Sequence, residues 1–273
     1  MSEIPVSIII PVKNEEISLC DCLKRVTLFN QVIVIDSSST DKTPEIAKQF
    51  RVEYYNFLWN GKYPKKRNWA LQNLKINNEW VFFLDADEYL TDRFISELVE
   101  KIKDPKINGY WINYQNHFIG KSLKYGDKMK KLPLFRKGKG EYEKIEEDLW
   151  SLLDMEVHEH PIINGIIGQI KSPIIHNDFK GLENYIARHN AYSSWEAKRY
   201  LQLTNNGFSG LNFRQKIKYK LITTRLLPFV YFLGSFIFKL GFLDGKEGYY
   251  LAIYKANYFF QIQTKIIELR QKK

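Results

Sequence analysis

Two short runs near the start of the chain, Val6–Pro11 (VSIIIP) and Gln31–Ile35 (QVIVI), are apolar at consecutive positions rather than alternate ones. A strand of that kind has no face to give to water, so it belongs inside a sheet covered on both sides. The residues after the first run, Val12-Lys-Asn-Glu-Glu16, read as a strand end and a helix start with Asn14 as N-cap. Glu15 and Glu16 suit the positive end of that helix. The second run closes with Asp36-Ser-Ser-Ser-Thr-Asp41, and Thr43-Pro44 reads as N-cap and first position of a short helix to Phe50. Val52 to Phe57 is a third, weaker strand. Strand, helix, strand, helix, strand within the first 57 residues indicates an α/β chain with a doubly wound, mainly parallel sheet.

Such sheets bind ligands beyond the carboxyl ends of their strands. The stretch Trp80-Val-Phe-Phe-Leu-Asp-Ala-Asp-Glu-Tyr89 delivers Asp85, Asp87 and Glu88 to that edge, directly after five apolar residues. Carboxylates this close repel one another and are tolerated where a hard cation or donor groups sit among them. Mg²⁺ or Mn²⁺ carrying substrate phosphates is the usual occupant of such oxygen-rich sites. The alternative is a solvated acidic turn that caps the next helix, Asp92 to Lys103, for which Thr91 is the N-cap. Lys62, Lys65, Lys66 and Arg67 stand just ahead of the helix that feeds the acidic strand. They either reach the same crevice to meet phosphates or form a solvated helix start. The turn after the first strand has no glycine, which excludes a Rossmann fingerprint, and no GxxxxGK[ST] exists for a P-loop.

Beyond Pro105 the pattern changes to strands at Tyr110–Tyr114, Leu132–Arg136 and Gly168–Ile175, a mixed sheet grown onto the parallel half. The charged stretch Lys137–Asp148 reads as a mobile loop. Glu156-Val-His-Glu-His-Pro161 is the second chemically loaded segment. Its histidines alternate instead of lying a helical turn apart, so this is not an HExxH zinc helix. One histidine and one carboxylate facing the crevice would supply a metal ligand and a general base; a surface turn is the alternative.

The hydrophobic fraction of 44% excludes a disordered chain. Cys20 and Cys22 read as unpaired residues of a reducing compartment, and no signal peptide is expected in MSEIPVSIII. The net charge of +10 is uneven: from Leu211 onward there are 12 Lys/Arg against 3 Asp/Glu. Basic helix positions in Leu211–Leu227 precede an apolar run from Pro228 to Phe238, too short for a span of about 20 residues. Residues 211–243 are therefore expected to lie in a membrane interface, with a helical hairpin closing over the rest of the chain or a homodimer contact as the alternative. No nucleic-acid partner is expected, because no RNP-type aromatic strand is present.

These segments together resemble family 2 glycosyltransferases of the GT-A fold, most closely lipopolysaccharide-core β-glucosyltransferase-like and surface-polysaccharide enzymes. The resemblance is carried by SIIIPVKNEE at 7–16, VIVIDSSSTDKT at 32–43, KKRNWAL at 65–71, FLDADE at 83–88 and MEVHEHP at 155–161. It extends through IIHNDF to NAYSSWEA at 174–197 and GFLDGKEG at 241–248. It implies a catalytic domain over 1–205, with a nucleotide-sugar half to 104 and an acceptor half from 105, and a helical membrane-associating or dimerising extension over 206–273. Pro11, Asn14, Glu15, Asp36, Lys66, Arg67 and Asp85 resemble the donor-nucleotide residues, although many members carry a second acid where this chain has Ser37. Asp85 and Asp87 resemble the DxD pair for a Mg²⁺ or Mn²⁺ ion, with Asp87 the direct ligand and His158 completing the shell. Glu159 is similar to the catalytic base of inverting members, with Glu156 the competing choice. The implied activity is inverting transfer of a hexose, expected to be glucose, from a UDP-type donor to a lipid-linked glycan, peripherally at the cytoplasmic face of the membrane. Transfer to polyprenyl phosphate, or a non-catalytic membrane-binding relative, are the alternatives.

Overall fold

The structure is a computed structural model and describes residues 3–126, 128–144, 161–178, 180–208, 211 and 213–272. The chain divides into two compact units, the first comprising Met1–Asn116, Met129–Asp148 and Leu152–Asp178, the second His117–Lys128, Leu149–Ser151 and Phe179–Lys273. The element order to residue 101 is β1 (Ile4–Val12), α1 (Leu19–Lys24), β2 (Phe29–Asp36), α2 (Thr43–Gln49), β3 (Glu53–Asn56), α3 (Lys66–Asn73), β4 (Trp80–Phe83), β5 (Glu88–Tyr89) and α4 (Asp92–Lys101). It continues with β6 (Ile107–Phe118), β7 (Lys121–Ser122), β8 (Met129–Arg136), β9 (Gly140–Tyr142), β10 (Pro161–Ile163) and β11 (Ile166–His176).

The main sheet has the order β3-β2-β1-β4-β8-β6-β11-β5. β1 lies parallel between β2 and β4, and β2 lies parallel to β3. β8 is antiparallel to both β4 and β6, and β11 returns parallel to β6. A parallel half is thus continued by a mixed half, as the change of pattern after Pro105 indicates. The consecutive apolar residues of β1 serve two layers. Val6, Ile8, Ile10 and Val12 pack with Leu19 and Leu23 of α1 and Phe94 and Leu98 of α4. Ile9 joins Ile33, Ile35, Phe83 and Ala70 of α3 on the opposite face. Each such side chain removed from water contributes about 1.5–3 kcal/mol, which is why a strand lying between two helical layers has no polar alternation.

Three local readings change. The first helix begins at Leu19 behind Ser18, and Asn14 does not cap it. Asn14 instead takes a left-handed φ of 56° and gives its side chain to the neighbouring loop, a use open to Asn because its short amide bonds locally in that conformation. Thr43 lies inside α2, with Lys42 as N-cap. Within the stretch read as a loop after Lys137, Gly140–Tyr142 forms β9 and pairs antiparallel with β10. Thr91 does cap α4, its side-chain oxygen accepting from Phe94 N at 3.2 Å.

The second unit is helical: α5 (Leu182–Asn206), α6 (Phe213–Leu221), α7 (Leu227–Leu233), a π turn at Gly234–Phe238, a 3₁₀ turn at Gly241–Asp244 and α8 (Gly245–Gln271). Ala197, Tyr200 and Leu203 of α5 share a core with Tyr219, Leu227, Phe259, Ile262 and Ile266. The glycines of GFLDGKEG are required by a close approach: a Cβ on Gly248 would lie 2.0 Å from the Gly241 carbonyl oxygen. Asp244, buried beside them, accepts from Lys124 N at 3.0 Å and Tyr125 N at 2.8 Å, while Lys121 Nζ donates to its carbonyl at 2.6 Å.

Candidate active site

Parallel register brings the ends of β1, β2 and β3 level, Val12 pairing with Asp36 and Asp36 with Asn56. β4 stops earlier, with Phe83 opposite Ile9, so Leu84 and the acidic turn continue from there toward the same edge. Pro11 is buried in β1 opposite Ile35, and the two loops that follow β1 and β2 are laced together. Asn14 N donates to Ser39 Oγ at 2.8 Å, and Asn14 Oδ1 accepts from Thr40 N at 2.9 Å. Glu15 N donates to Thr43 Oγ1 at 2.8 Å, and Glu16 N to Asp41 Oδ2 at 3.0 Å. Asp36 is fully buried, and its carboxylate is committed to the loop: Oδ1 accepts from Ser39 N and Ser39 Oγ, at 3.0 and 2.5 Å. Its Oδ2 accepts from Tyr54 OH at 2.6 Å. In this conformation Asp36 holds the loop after β2 instead of presenting an open acceptor.

The start of α3 brings the predicted cations inward. Lys66 is only 1% exposed and donates to the Val12 carbonyl at 3.0 Å. Arg67 reaches Asp85 Oδ1 at 2.9 Å and lies over the Tyr142 ring at 5.2 Å. The solvated-helix-start alternative does not describe these two residues. Asn68 holds β9 in place by a paired bond, donating to Tyr142 O and accepting from Tyr142 N, each at 2.9 Å.

The acidic stretch turns sharply after β4. Lys131 of β8 donates to Asp85 Oδ2 at 2.8 Å and Glu88 Oε1 at 2.5 Å, so one ammonium spans two of the three carboxylates. Burial opposes ionisation of Asp85, but Lys131 and Arg67 outweigh it and hold that carboxyl well below the usual range. Burial pushes Glu88 the other way, up to about 8, against the pull of Lys131 and with the charge of Asp85 adding to the rise. Asp87 is also raised, by burial that His176 only partly offsets and by repulsion from Asp85.

Asp87 stands apart from that network of cations. His176 Nε2 lies 3.8 Å from Asp87 Oδ1, and Asn177 N donates to the Asp87 carbonyl at 2.9 Å. Burial, followed by the nearby charge of Lys131, lowers the pKa of His176 and favours its neutral, ligating form. Its Nδ1 faces Asn116 Oδ1 at 3.4 Å; a proton on that nitrogen leaves the Nε2 lone pair on the Asp87 side. Among the described residues no group of three His, Cys, Asp or Glu side chains converges as a full metal shell. Asp87 and His176 do fit a hard divalent ion that takes its remaining oxygens from phosphate and water.

The structure therefore brings together Pro11, Asn14, Glu15 and Asp36 at two laced loops, with Lys66 on the carbonyl at the end of β1, and Arg67, Asp85 and Asp87 around the acidic turn. Glu156, His158 and Glu159 lie outside the described residues. Sequence reasoning missed Lys131 and His176 as members of the cluster. The IIHNDF segment was visible as a motif, and antiparallel pairing of His176 with Glu88 explains its place. Lys131 is one lysine among several in KMKK, and spacing alone does not single it out.

A sequence model described as Glycosyl transferase family 2 matches residues 7–155. The lipopolysaccharide core biosynthesis glycosyltransferase LpsC of Rhizobium meliloti (strain 1021) is 26% identical over 280 residues, covering 97% of this chain and 93% of that protein. An uncharacterized glycosyltransferase of Rickettsia felis is 26% identical, covering 89% and 83% of the two chains. Among solved structures, S. aureus TarS 1-349 in complex with UDP-GlcNAc superposes with a TM-score of 0.50 at 14% identity, covering 98% of this chain and 92% of that one. The laced loops, the acidic turn after β4 and these matches have one common account: the chain belongs to glycosyl transferase family 2 and is built on the GT-A nucleotide-sugar transferase fold.

Proposed function

We propose that the protein transfers a hexose, glucose in the first instance, from a UDP-sugar to a lipid-linked glycan of the lipopolysaccharide-core or surface-polysaccharide type, with inversion at the anomeric carbon. The observation that carries this reading is the division of labour in the acidic turn. Asp85 is held ionised by Arg67 and Lys131, while Asp87 and His176 stand as an adjacent pair of donors. Asp87 and His176 are the residues that would hold a divalent ion, Mg²⁺ or Mn²⁺, which would supply positive charge to the departing diphosphate. The carboxylate of Glu159, with Glu156 as the competing residue, accepts the proton of the acceptor hydroxyl as its oxygen attacks and the bond to the diphosphate oxygen breaks. The relationship to LpsC supports the acceptor class, and the TarS complex with UDP-GlcNAc supports a UDP-linked donor.

Calorimetric titration with UDP tests the donor site. Binding is expected in Mn²⁺ and is expected to weaken at least tenfold on chelation or in Asp87→Ala; a wild-type protein that does not bind UDP in Mn²⁺ overturns the proposal. For the base, Glu159→Gln is expected to keep UDP binding and lose transfer, and near-normal turnover would move the role to Glu156.

A further inference from the structure

The second unit carries an apolar surface that its own core does not use. Along α7 and the π turn, Leu227 and Ser235 face inward and Tyr231 stacks on Phe259 of α8, with ring centroids 3.9 Å apart. The opposite face, made of Leu226, Phe229, Val230, Leu233, Ile237 and Phe238, is between 44% and 81% exposed. Leu240, Phe242 and Leu243 in the following turn continue it, also exposed. Positions 226, 229, 230, 233 and 237 follow helical spacing, so this is one continuous stripe rather than scattered apolar residues. Water-facing stripes of this size mark interaction surfaces.

Charge selects the occupant. From Leu211 to Leu243 the chain has six Lys/Arg and no Asp/Glu. Arg225 and Lys239 are exposed at the two ends of the stripe, and Lys216 and Lys220 are exposed on α6. A second copy docking face to face would bring a segment with cations and no acids against the same segment, because a two-fold interface is made by one patch meeting itself. An anionic lipid surface offers opposite charge to the cations and acyl chains to the stripe. Among the described residues no single helix is long and apolar enough to cross a bilayer; Leu227–Phe238 and Gly241–Gln271 reach that length only together, and they bend by 69° where they meet. Twelve helical residues reach roughly 18 Å, against a hydrocarbon core of about 30 Å. Tyr249 and Tyr250, exposed next to the bend, suit the headgroup level where amphipathic rings collect.

We infer that the Leu226–Leu243 stripe is a monotopic docking surface that dips into one leaflet of an anionic bilayer. This surface stands on its own observations and does not rest on the sugar-transfer reading.

Vesicle flotation of the full chain tests it, using phosphatidylcholine vesicles with and without 30% phosphatidylglycerol. Binding to the anionic vesicles is expected to exceed binding to neutral ones at least tenfold and to fall as salt is raised. Leu226→Ser/Val230→Ser/Phe238→Ser changes side chains that are already exposed, so its melting curve and UDP affinity are expected to match the wild type while vesicle binding drops at least tenfold. Lys216→Gln/Lys220→Gln/Arg225→Gln is expected to lose the preference for anionic lipid. Equal flotation of wild type and the apolar triple variant overturns the inference, as does a wild-type dimer by light scattering that the same variant dissociates. A wild type that floats with anionic vesicles through these residues yet fails to bind UDP supports the surface and overturns only the sugar-transfer proposal.

Discussion

Lys131 is the residue on which the acidic turn depends, because its single ammonium spans Asp85 and Glu88. Removing one partner of a buried charged group leaves the other uncompensated and costs about 3–5 kcal/mol. Lys131→Met is therefore expected to lower stability to urea by about that amount at pH 7, chiefly through Asp85, which stays ionised, whereas Glu88, pushed up to about 8, keeps its proton. Asp87 and His176 act differently, since neither is held by a lysine or arginine in the cluster. His176→Gln, which keeps most of this buried side chain's volume, is expected to cost less stability in urea than Lys131→Met while reducing Mn²⁺-dependent UDP affinity roughly tenfold or more. The contrast between a stability effect at Lys131 and a binding effect at His176 is read by denaturation and calorimetry on the same preparations. Asp85 and Asp87 were legible in the sequence because an apolar strand ran straight into them. Lys131 and His176 were not, because antiparallel pairing across the sheet brings them there and nothing in their own neighbourhoods shows it.

At the scale of elements, α4 is tied to β11 by one side chain. Glu97 accepts from Lys171 N and Ser172 N, each at 2.8 Å. Burial would raise its pKa, but those two amide bonds lower it below the usual carboxylate value. A carboxyl depressed in the folded state stabilises above its unfolded pKa of about 4.3, and that contribution is lost as pH falls through the lower folded value. Glu97→Gln is accordingly expected to cost about 1 kcal/mol at pH 7, with the gap to wild type closing as pH drops below about 4; urea titrations at pH 7 and pH 3 measure both. The approach of α8 to the 3₁₀ turn before it is limited sterically. Gly248→Ala would force a methyl group against the Gly241 carbonyl, and a drop of about 2–4 kcal/mol in the stability of the helical unit is expected. The strands of the parallel half were readable from their apolar runs. The start of α1 was misread because Asn14 satisfies the capping pattern in sequence while its side chain is drawn across to Thr40. A local pattern cannot register a competing partner 26 residues away.

For the whole molecule, two compact units with separate cores make a single cooperative transition the exception. Urea unfolding is expected to show two steps, and saturating UDP with Mn²⁺ is expected to move only one. At a hundredfold excess over Kd the shift is about 2.7 kcal/mol. Gly248→Ala is expected to move the other step, so far-UV circular dichroism with and without nucleotide assigns each transition. Movement of both steps by UDP would show that the units share one folding equilibrium.

The lacing of the loops after β1 and β2 bears on how such an enzyme is re-engineered. Asn14, Glu15 and Glu16 make their bonds to Ser39, Thr40 and Asp41 in the other loop and to Thr43 at the start of α2, so neither loop is a free-standing cassette. A chimaera that imports one of them from a family member with a different nucleotide preference inherits mismatched partners along the whole seam. The transplantable module is the pair, taken together from a single donor sequence.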